Sequence, residues 1–236
     1  MANDGNEASD LSKLGGSLVV NMGSCTPGSI DHFALAISAY NNVGGAVLFD
    51  PVGAAATSVR KAAVRKLMSS GYFAIIKGNE KEINTVWAAG RTQQKGVDSG
   101  VSNMSHQDKG KLVKNLAVRE GNVIVMTGET DYLSDGQRTF CVKNGNAYLS
   151  LITGTGCTLG TTIAAFAAVE NDKLLAALVG LLMFEIAAER ATEKPTVQGP
   201  GTFVPAFIDS LHEIAKLTDA GDTKWLDAAK VDVVAV

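Results

Sequence analysis

Short apolar runs recur along this chain, each closed by a turn that pairs glycine with a polar side chain, and most of them lead into a stretch with helical spacing. Ser17-Leu18-Val19-Val20 runs into Asn21-Met22-Gly23-Ser24, after which Ser29 or Asp31 is placed to cap a helix through Tyr40. Ala46-Val47-Leu48-Phe49 leads to Asp50-Pro51-Val52-Gly53 and then to a basic amphipathic stretch from Val59 to Met68. Phe73-Ala74-Ile75-Ile76 leads to Lys77-Gly78-Asn79 and a helix over Glu80 to Ala88, and Val123-Ile124-Val125-Met126 ends on Thr127-Gly128-Glu129. Strands that alternate with helices predict an α/β fold with a mostly parallel central sheet and helices on its faces.

The pattern then changes. Asp135-Gly136 and Asn144-Gly145 are hairpin-turn dipeptides, so residues Asp131 to Leu151 are expected to form antiparallel strands at one edge of the sheet. Beyond the turn Gly154-Thr155-Gly156 the spacing reads as helices, over about 158–170, 172–192, 204–217 and 223–230. Gly90 to Ser105, rich in Gly, Gln and Ser, reads as a long loop. The most apolar run, Leu174 to Ala188, is too short for a membrane span and carries Glu185, so it is expected as a buried core helix.

Length and composition narrow the function. The 236 residues, nearly half of them apolar, suit one large domain covering 1–236. A formal charge of −3 and an isoelectric point near 5.6 offer no basic footprint, and no Lys/Arg run appears, so nucleic acid is not an expected partner. Cys25, Cys141 and Cys157 form no C-x-x-C, and His32, His106 and His212 lie far apart, which suggests neither a disulfide framework nor a zinc site. The polar, acidic segment Met1 to Ser12 lacks the features of a secretory signal, so a cytoplasmic location is expected, with no membrane partner.

Open parallel sheets bind ligands at the carboxyl ends of their strands, where Asn21, Asp50, Lys77, Thr127 and Cys157 converge. A helix opening at Thr153-Gly154-Thr155-Gly156-Cys157-Thr158 would aim unpaired N–H groups at an anion over the turn, and its partial positive charge favours a thiolate there. Neither a P-loop nor the dinucleotide fingerprint is present, since Leu159 stands where a third glycine is required. An anion hole, carboxylates at Asp50 and Glu82 and a cation at Lys77 are the parts that a nucleoside triphosphate with Mg²⁺ needs, which points to phosphoryl transfer. Plainer readings stand beside these: the glycines as a tight connection, Asp50 as a cap for the turn before Pro51, Glu82 as an exposed helix carboxylate, Lys77 as a solvated strand end and Thr127 as filler at a half-buried strand end.

The ordered set Asp50-Pro51-Val52-Gly53-Ala54, Lys77-Gly78-Asn79-Glu80-x-Glu82, Thr127-Gly128-Glu129-x-Asp131 and Thr153-Gly154-Thr155-Gly156-Cys157, with Gly199-Pro200-Gly201-Thr202-Phe203 near the end, resembles the hydroxyethylthiazole kinase family of the ribokinase-like group. The resemblance implies ATP-dependent phosphorylation of 4-methyl-5-(2-hydroxyethyl)thiazole for thiamine biosynthesis or salvage, by a homotrimer with active sites between subunits. It also implies that Cys157 is the catalytic base and that Gly154 and Met1 contact the thiazole. Gly156 would supply anion-hole N–H groups, Thr127 and Lys77 would contact ATP, and Asp50 and Glu82 would associate with Mg²⁺. Many bacterial members have arginine where this chain has Lys77, which keeps the charge and loses the bidentate fork.

By this resemblance Met1-Ala2 aligns with an internal Met-Ala of the family, so the chain is expected to lack the family's N-terminal segment. Three readings follow: a fragment of a competent kinase, the kinase part of a fungal-type bifunctional enzyme that also carries thiamine-phosphate synthase, or a non-catalytic structural subunit. Another ribokinase-like enzyme is a fourth, against which Cys157 argues, because aspartate is expected there in those relatives.

Overall fold

Parallel pairing begins at the first strand. The computed structural model describes residues 4–90 and 104–236, and among them seven strands form one sheet whose spatial order follows the sequence. These are β1 (Ser17–Asn21), β2 (Ala46–Asp50), β3 (Ile75–Asn79), β4 (Val123–Thr127), β5 (Asp131–Ser134), β6 (Thr139–Val142) and β7 (Val231–Val233). Pairs from β1 to β4 are parallel and those from β4 to β7 antiparallel, so the expected mixed α/β sheet is present.

Helices cover both faces. After a single turn, α1 (Ala8–Leu11), come α2 (Pro27–Asn42), α3 (Ser58–Met68), α4 (Glu80–Ala89) and α5 (His106–Glu120). Beyond the β5–β6 hairpin follow α6 (Tyr148–Leu151), α7 (Thr155–Ala167), α8 (Lys173–Glu193) and α9 (Pro200–Asp219). Residues from α2 to α5 bury Val20, Phe49, Ile76 and Ile124 on one face, whereas α7 to α9 bury Leu48, Ile75, Val125 and Leu133 on the other. Helix α8 lies between α7 and α9, and this is why its apolar run goes nearly all the way round. At Gly180 a β-carbon would stand 2.9 Å from Ile163 Cα, so this position lets the two helix backbones cross closely.

Several expectations are corrected. Thr26 caps α2 through a capping box with Ser29, displacing Ser29 and Asp31 from that role, because Pro27 at the first helical position starts the turn earlier. Asp135-Gly136 does form a hairpin, but Asn144-Gly145 does not. The chain leaves the sheet after Val142 and β6 takes its next partner from β7, almost ninety positions on, because Glu189 of α8 binds the Asn144 amide and the Gly145 N–H. Over 223–230 a short 3-10 turn (Lys224–Ala228) replaces the expected helix. Helix α5, in a stretch the alternation leaves unassigned, runs from the Ser105 cap to Gly121. Most of the expected loop over 90–105 lies outside the described residues.

Candidate active site

Period-two alternation decides which side chains line the carboxyl rim. Val19, Leu48, Ile75 and Val125 pack toward α7–α9, and two positions further along their strands Asn21, Asp50, Lys77 and Thr127 share that side. Asn21 pairs with Asp50 in register, and the pairing of Leu48 with Ile75 carries Asp50 alongside Lys77.

The contacts follow from this register. Asp50 Oδ2 accepts from Asn21 Nδ2 at 2.8 Å and from Lys77 Nζ at 3.2 Å. Lys77 is 4% exposed, which excludes a solvated lysine, and the side-chain partners of the 1%-exposed Asp50 are Asn21 and Lys77 rather than N–H groups of its own turn. Burial pushes the Asp50 carboxyl above its usual range and the adjacent ammonium pulls it back. Lys77 Nζ also donates to Gly156 O at 2.9 Å, so one ammonium ties the end of β2 to the first turn of α7.

That first turn starts three residues earlier than the spacing predicts. Gly154 caps α7 at φ 100°, a left-handed conformation that favours glycine, and the first intrahelical bond runs from Thr158 N–H to Gly154 O. The N–H groups of Thr155, Gly156 and Cys157 therefore precede the helical ladder, and no side chain caps them. The Thr155 hydroxyl anchors the turn by donating to Leu149 O at 2.8 Å. Cys157 is the third residue of α7, half-buried and free of disulfide.

Glu82 is buried, in contrast to an exposed helix carboxylate. Its Oε1 accepts the Gly53 N–H and its Oε2 the Asn79 N–H, each at 2.8 Å, so the carboxylate clasps the turn after β2 to the cap of α4. Thr127 ends β4 half-buried, and Gly128 N–H donates to Asp131 Oδ1 at 2.9 Å, which closes the turn that follows. Met1 lies outside the described residues.

The donor set fits a phosphate chain with a magnesium ion. Asp50 Oδ1 is buried with no hydrogen-bond partner in the chain, a free carboxylate oxygen beside an ammonium and a helix N-terminus. Among the described residues no group of three or more His, Cys, Asp or Glu side chains encloses a metal position.

Two contributors escape sequence reasoning. Arg60 donates to Met22 O and Val52 O at 2.7 Å and to Gly23 O at 3.1 Å, so it joins the loops after β1 and β2; a basic helical stretch was its sole signal. Glu185, read as part of a core helix, stands buried with Asp131. A separate cleft of about 320 Å³, lined by Tyr72, Asp135, Arg138 and Asp172 among others, carries charges already satisfied, since Arg138 binds both aspartates.

A model of the hydroxyethylthiazole kinase family matches residues 1–217. The chain belongs to the hydroxyethylthiazole kinase family. It is 38% identical to a hydroxyethylthiazole kinase of Chloroflexus aggregans over 91% of this chain and 75% of that protein. It is 37% identical over 96% of its length to a Schizosaccharomyces pombe protein named "Probable thiamine biosynthetic bifunctional enzyme", of which it spans 44%. A solved hydroxyethylthiazole kinase protein from Pyrococcus horikoshii OT3 superposes with a TM-score of 0.84 at 31% identity, covering 100% of this chain and 84% of that one. A pyridoxal kinase from Staphylococcus aureus, solved with ADP, shares the fold at 15% identity, with a TM-score of 0.56 over 78% of this chain and 65% of that one.

Family membership agrees with the resemblance carried by the four ordered motifs and with their common rim. No helix among the described residues is long and apolar enough to cross a membrane.

Proposed function

We propose that this chain is a kinase that transfers the γ-phosphoryl group of ATP to the primary hydroxyl of 4-methyl-5-(2-hydroxyethyl)thiazole in thiamine biosynthesis or salvage. The observation that carries the reading is the bridge from Lys77 Nζ to Asp50 and Gly156 O, which sets a carboxylate, an ammonium and the open turn of α7 side by side in a chain of this family.

The hydroxyl oxygen of the substrate bonds to the γ-phosphorus as the bond to the β,γ-bridging oxygen breaks and ADP leaves with that electron pair. Cys157 Sγ accepts the hydroxyl proton. The N–H groups of Thr155, Gly156 and Cys157 receive the oxygens of the transferring group, fixed in advance by the helix. Lys77 and Thr127 contact ATP, with Lys77 also holding the turn in place, and Gly154 lies against the thiazole. Asp50 would hold Mg²⁺ through its free Oδ1, with Glu82 behind it keeping the β2 turn in shape. When bound, the ion neutralises charge on the phosphate chain.

The reading takes residues 1–236 as one kinase domain, assembled as a homotrimer in the cytoplasm. Sedimentation of the purified chain tests the assembly. The decisive assay is ATP consumption with hydroxyethylthiazole and Mg²⁺. Thiazole phosphate and ADP are expected in equal amounts; a folded chain that makes neither would sink the kinase and favour a structural subunit.

A second reading sets this kinase within a longer polypeptide that carries another thiamine-pathway activity. Its support is the 44% share of the fission yeast protein that the chain spans. The mass of the native polypeptide distinguishes the two readings.

A further inference from the structure

Two buried carboxyl groups meet under the turn that follows β4. Asp131 opens β5 and is 2% exposed, and Glu185 from the middle of α8 is 6% exposed. Asp131 shares the parity of Leu133, whose side chain packs toward α7–α9, and α8 lies against β5 on that face. Asp131 is among the groups that raise the Glu185 carboxyl, and Glu185 among those that lower the Asp131 carboxyl.

Donors are the deciding fact. Asp131 Oδ1 accepts the Gly128 N–H, but Asp131 Oδ2 and Glu185 Oε2 are both buried without a partner. Glu189, one turn further along α8, has what an ionised carboxylate needs: the Asn144 amide at 3.2 Å, the Gly145 N–H at 3.1 Å and Lys230 Nζ at 2.9 Å. Two ionised carboxylates side by side, away from water and each with an oxygen that no donor reaches, repel each other, and a single proton between them removes both problems. Burial and the Asp131 carboxyl push Glu185 up to about 12, with Glu189 adding negative charge; burial raises Asp131 as well, while Lys77 acts the other way.

We propose that Glu185 is a positioning residue that carries a proton and donates it in a hydrogen bond to Asp131, thereby holding the Thr127–Asp131 turn in the shape that receives the nucleotide. The nucleotide part rests on the kinase reading above; the proton and the order of the turn do not. The groups that face the pair are Lys77 from β3, Glu189 on α8, and Lys230 through its bond to Glu189.

Glu185→Gln keeps a donor toward Asp131, whereas Glu185→Leu removes it and leaves Asp131 Oδ2 without a partner. In the purified chain, Glu185→Gln should keep KM for ATP near the parent value. Glu185→Leu should raise it about 10-fold or more, with kcat at saturating ATP changed less, as expected for loss of a buried charge-assisted hydrogen bond. Equal impairment in both variants, or none in Glu185→Leu, would overturn the proposal. Two readouts need no turnover and cover the case in which Glu185→Leu does not fold. Infrared spectra of the parent at pH 8 should contain a carboxylic-acid carbonyl band that Glu185→Gln lacks, and Gly128 N–H should exchange as slowly in Glu185→Gln as in the parent. A parent without the band, or fast Gly128 exchange in Glu185→Gln, sinks the pair even in an active kinase. The band and slow exchange in a chain that consumes no ATP would uphold the pair and reject the kinase.

Discussion

Lys77 Nζ stands 3.2 Å from Asp50 Oδ2 and 2.9 Å from Gly156 O, so a single ammonium joins two strand ends to the opening turn of α7. Both side chains of the ion pair are nearly sealed from solvent. Removing one partner strands the other charge in the interior. Lys77→Met is therefore expected to destabilise the fold by about 3–5 kcal/mol, read from urea unfolding. A loss smaller than about 1 kcal/mol would mean that water or a counter-ion already compensates Asp50.

Cys157 occupies the third position of α7 beside the open N–H groups. Cys157→Ala should lower kcat by about 10²–10⁴-fold while nucleotide affinity, measured by calorimetry, stays close to the parent value. Unchanged turnover removes the thiol from the proton transfer.

Asp50 and Glu82 differ in what their oxygens already hold. Glu82 accepts two backbone N–H groups, whereas Asp50 has a buried oxygen with no partner. Asp50→Asn should therefore shift the magnesium titration of activity far more than Glu82→Gln does. Glu82→Ala should instead cost stability, on the order of 1–3 kcal/mol, by orphaning two donors. The opposite ranking in the magnesium titration would make Glu82 the principal metal carboxylate.

The sign of the Glu185 shift sets a pH dependence. Its folded value is raised from 4.5 to about 12, so above about 4.5 the folded chain keeps a proton that the unfolded chain releases. Stability from this group then falls as pH rises through that window, by about 1.4 kcal/mol per pH unit for one proton. Glu185→Gln needs no proton uptake, so its stability relative to the parent should rise between pH 5 and pH 8 in paired melts. A difference that is flat with pH would show that Glu185 is ionised in the native state.

Gly154 adopts φ 100° with nothing within 4 Å of the position a β-carbon would take. Gly154→Ala should lose about 1–2 kcal/mol from backbone strain alone. Unaltered unfolding would indicate that the helix start tolerates a different turn.

Much of the fold is legible locally. The β1 to β4 runs declare themselves by β-branched residues between glycine turns, and Asp135-Gly136 marks its hairpin because both features depend on neighbouring residues alone. Asn144-Gly145 carries the same turn chemistry and forms no hairpin, since Glu189, far along the chain, takes its donors. The helix over 106–120 has an apolar stripe at Leu112, Val113, Leu116 and Ala117, but the Gly-, Gln- and Ser-rich sequence before it obscures the start.

At the site, residue types and their order along the chain already bring Asn21, Asp50, Lys77, Thr127 and Cys157 to one rim, because strand-to-helix alternation dictates which ends of parallel strands meet. The sequence by itself thus determined the layered fold, the rim and the family. Only the tertiary structure decided that Lys77 bridges Asp50 to Gly156, that Glu82 clasps two turns, and that Glu185 meets Asp131. Those pairings join residues 27, 79, 29 and 54 positions apart, and they depend on strand register, helix rotation and the exclusion of water, quantities that arise only when distant segments pack.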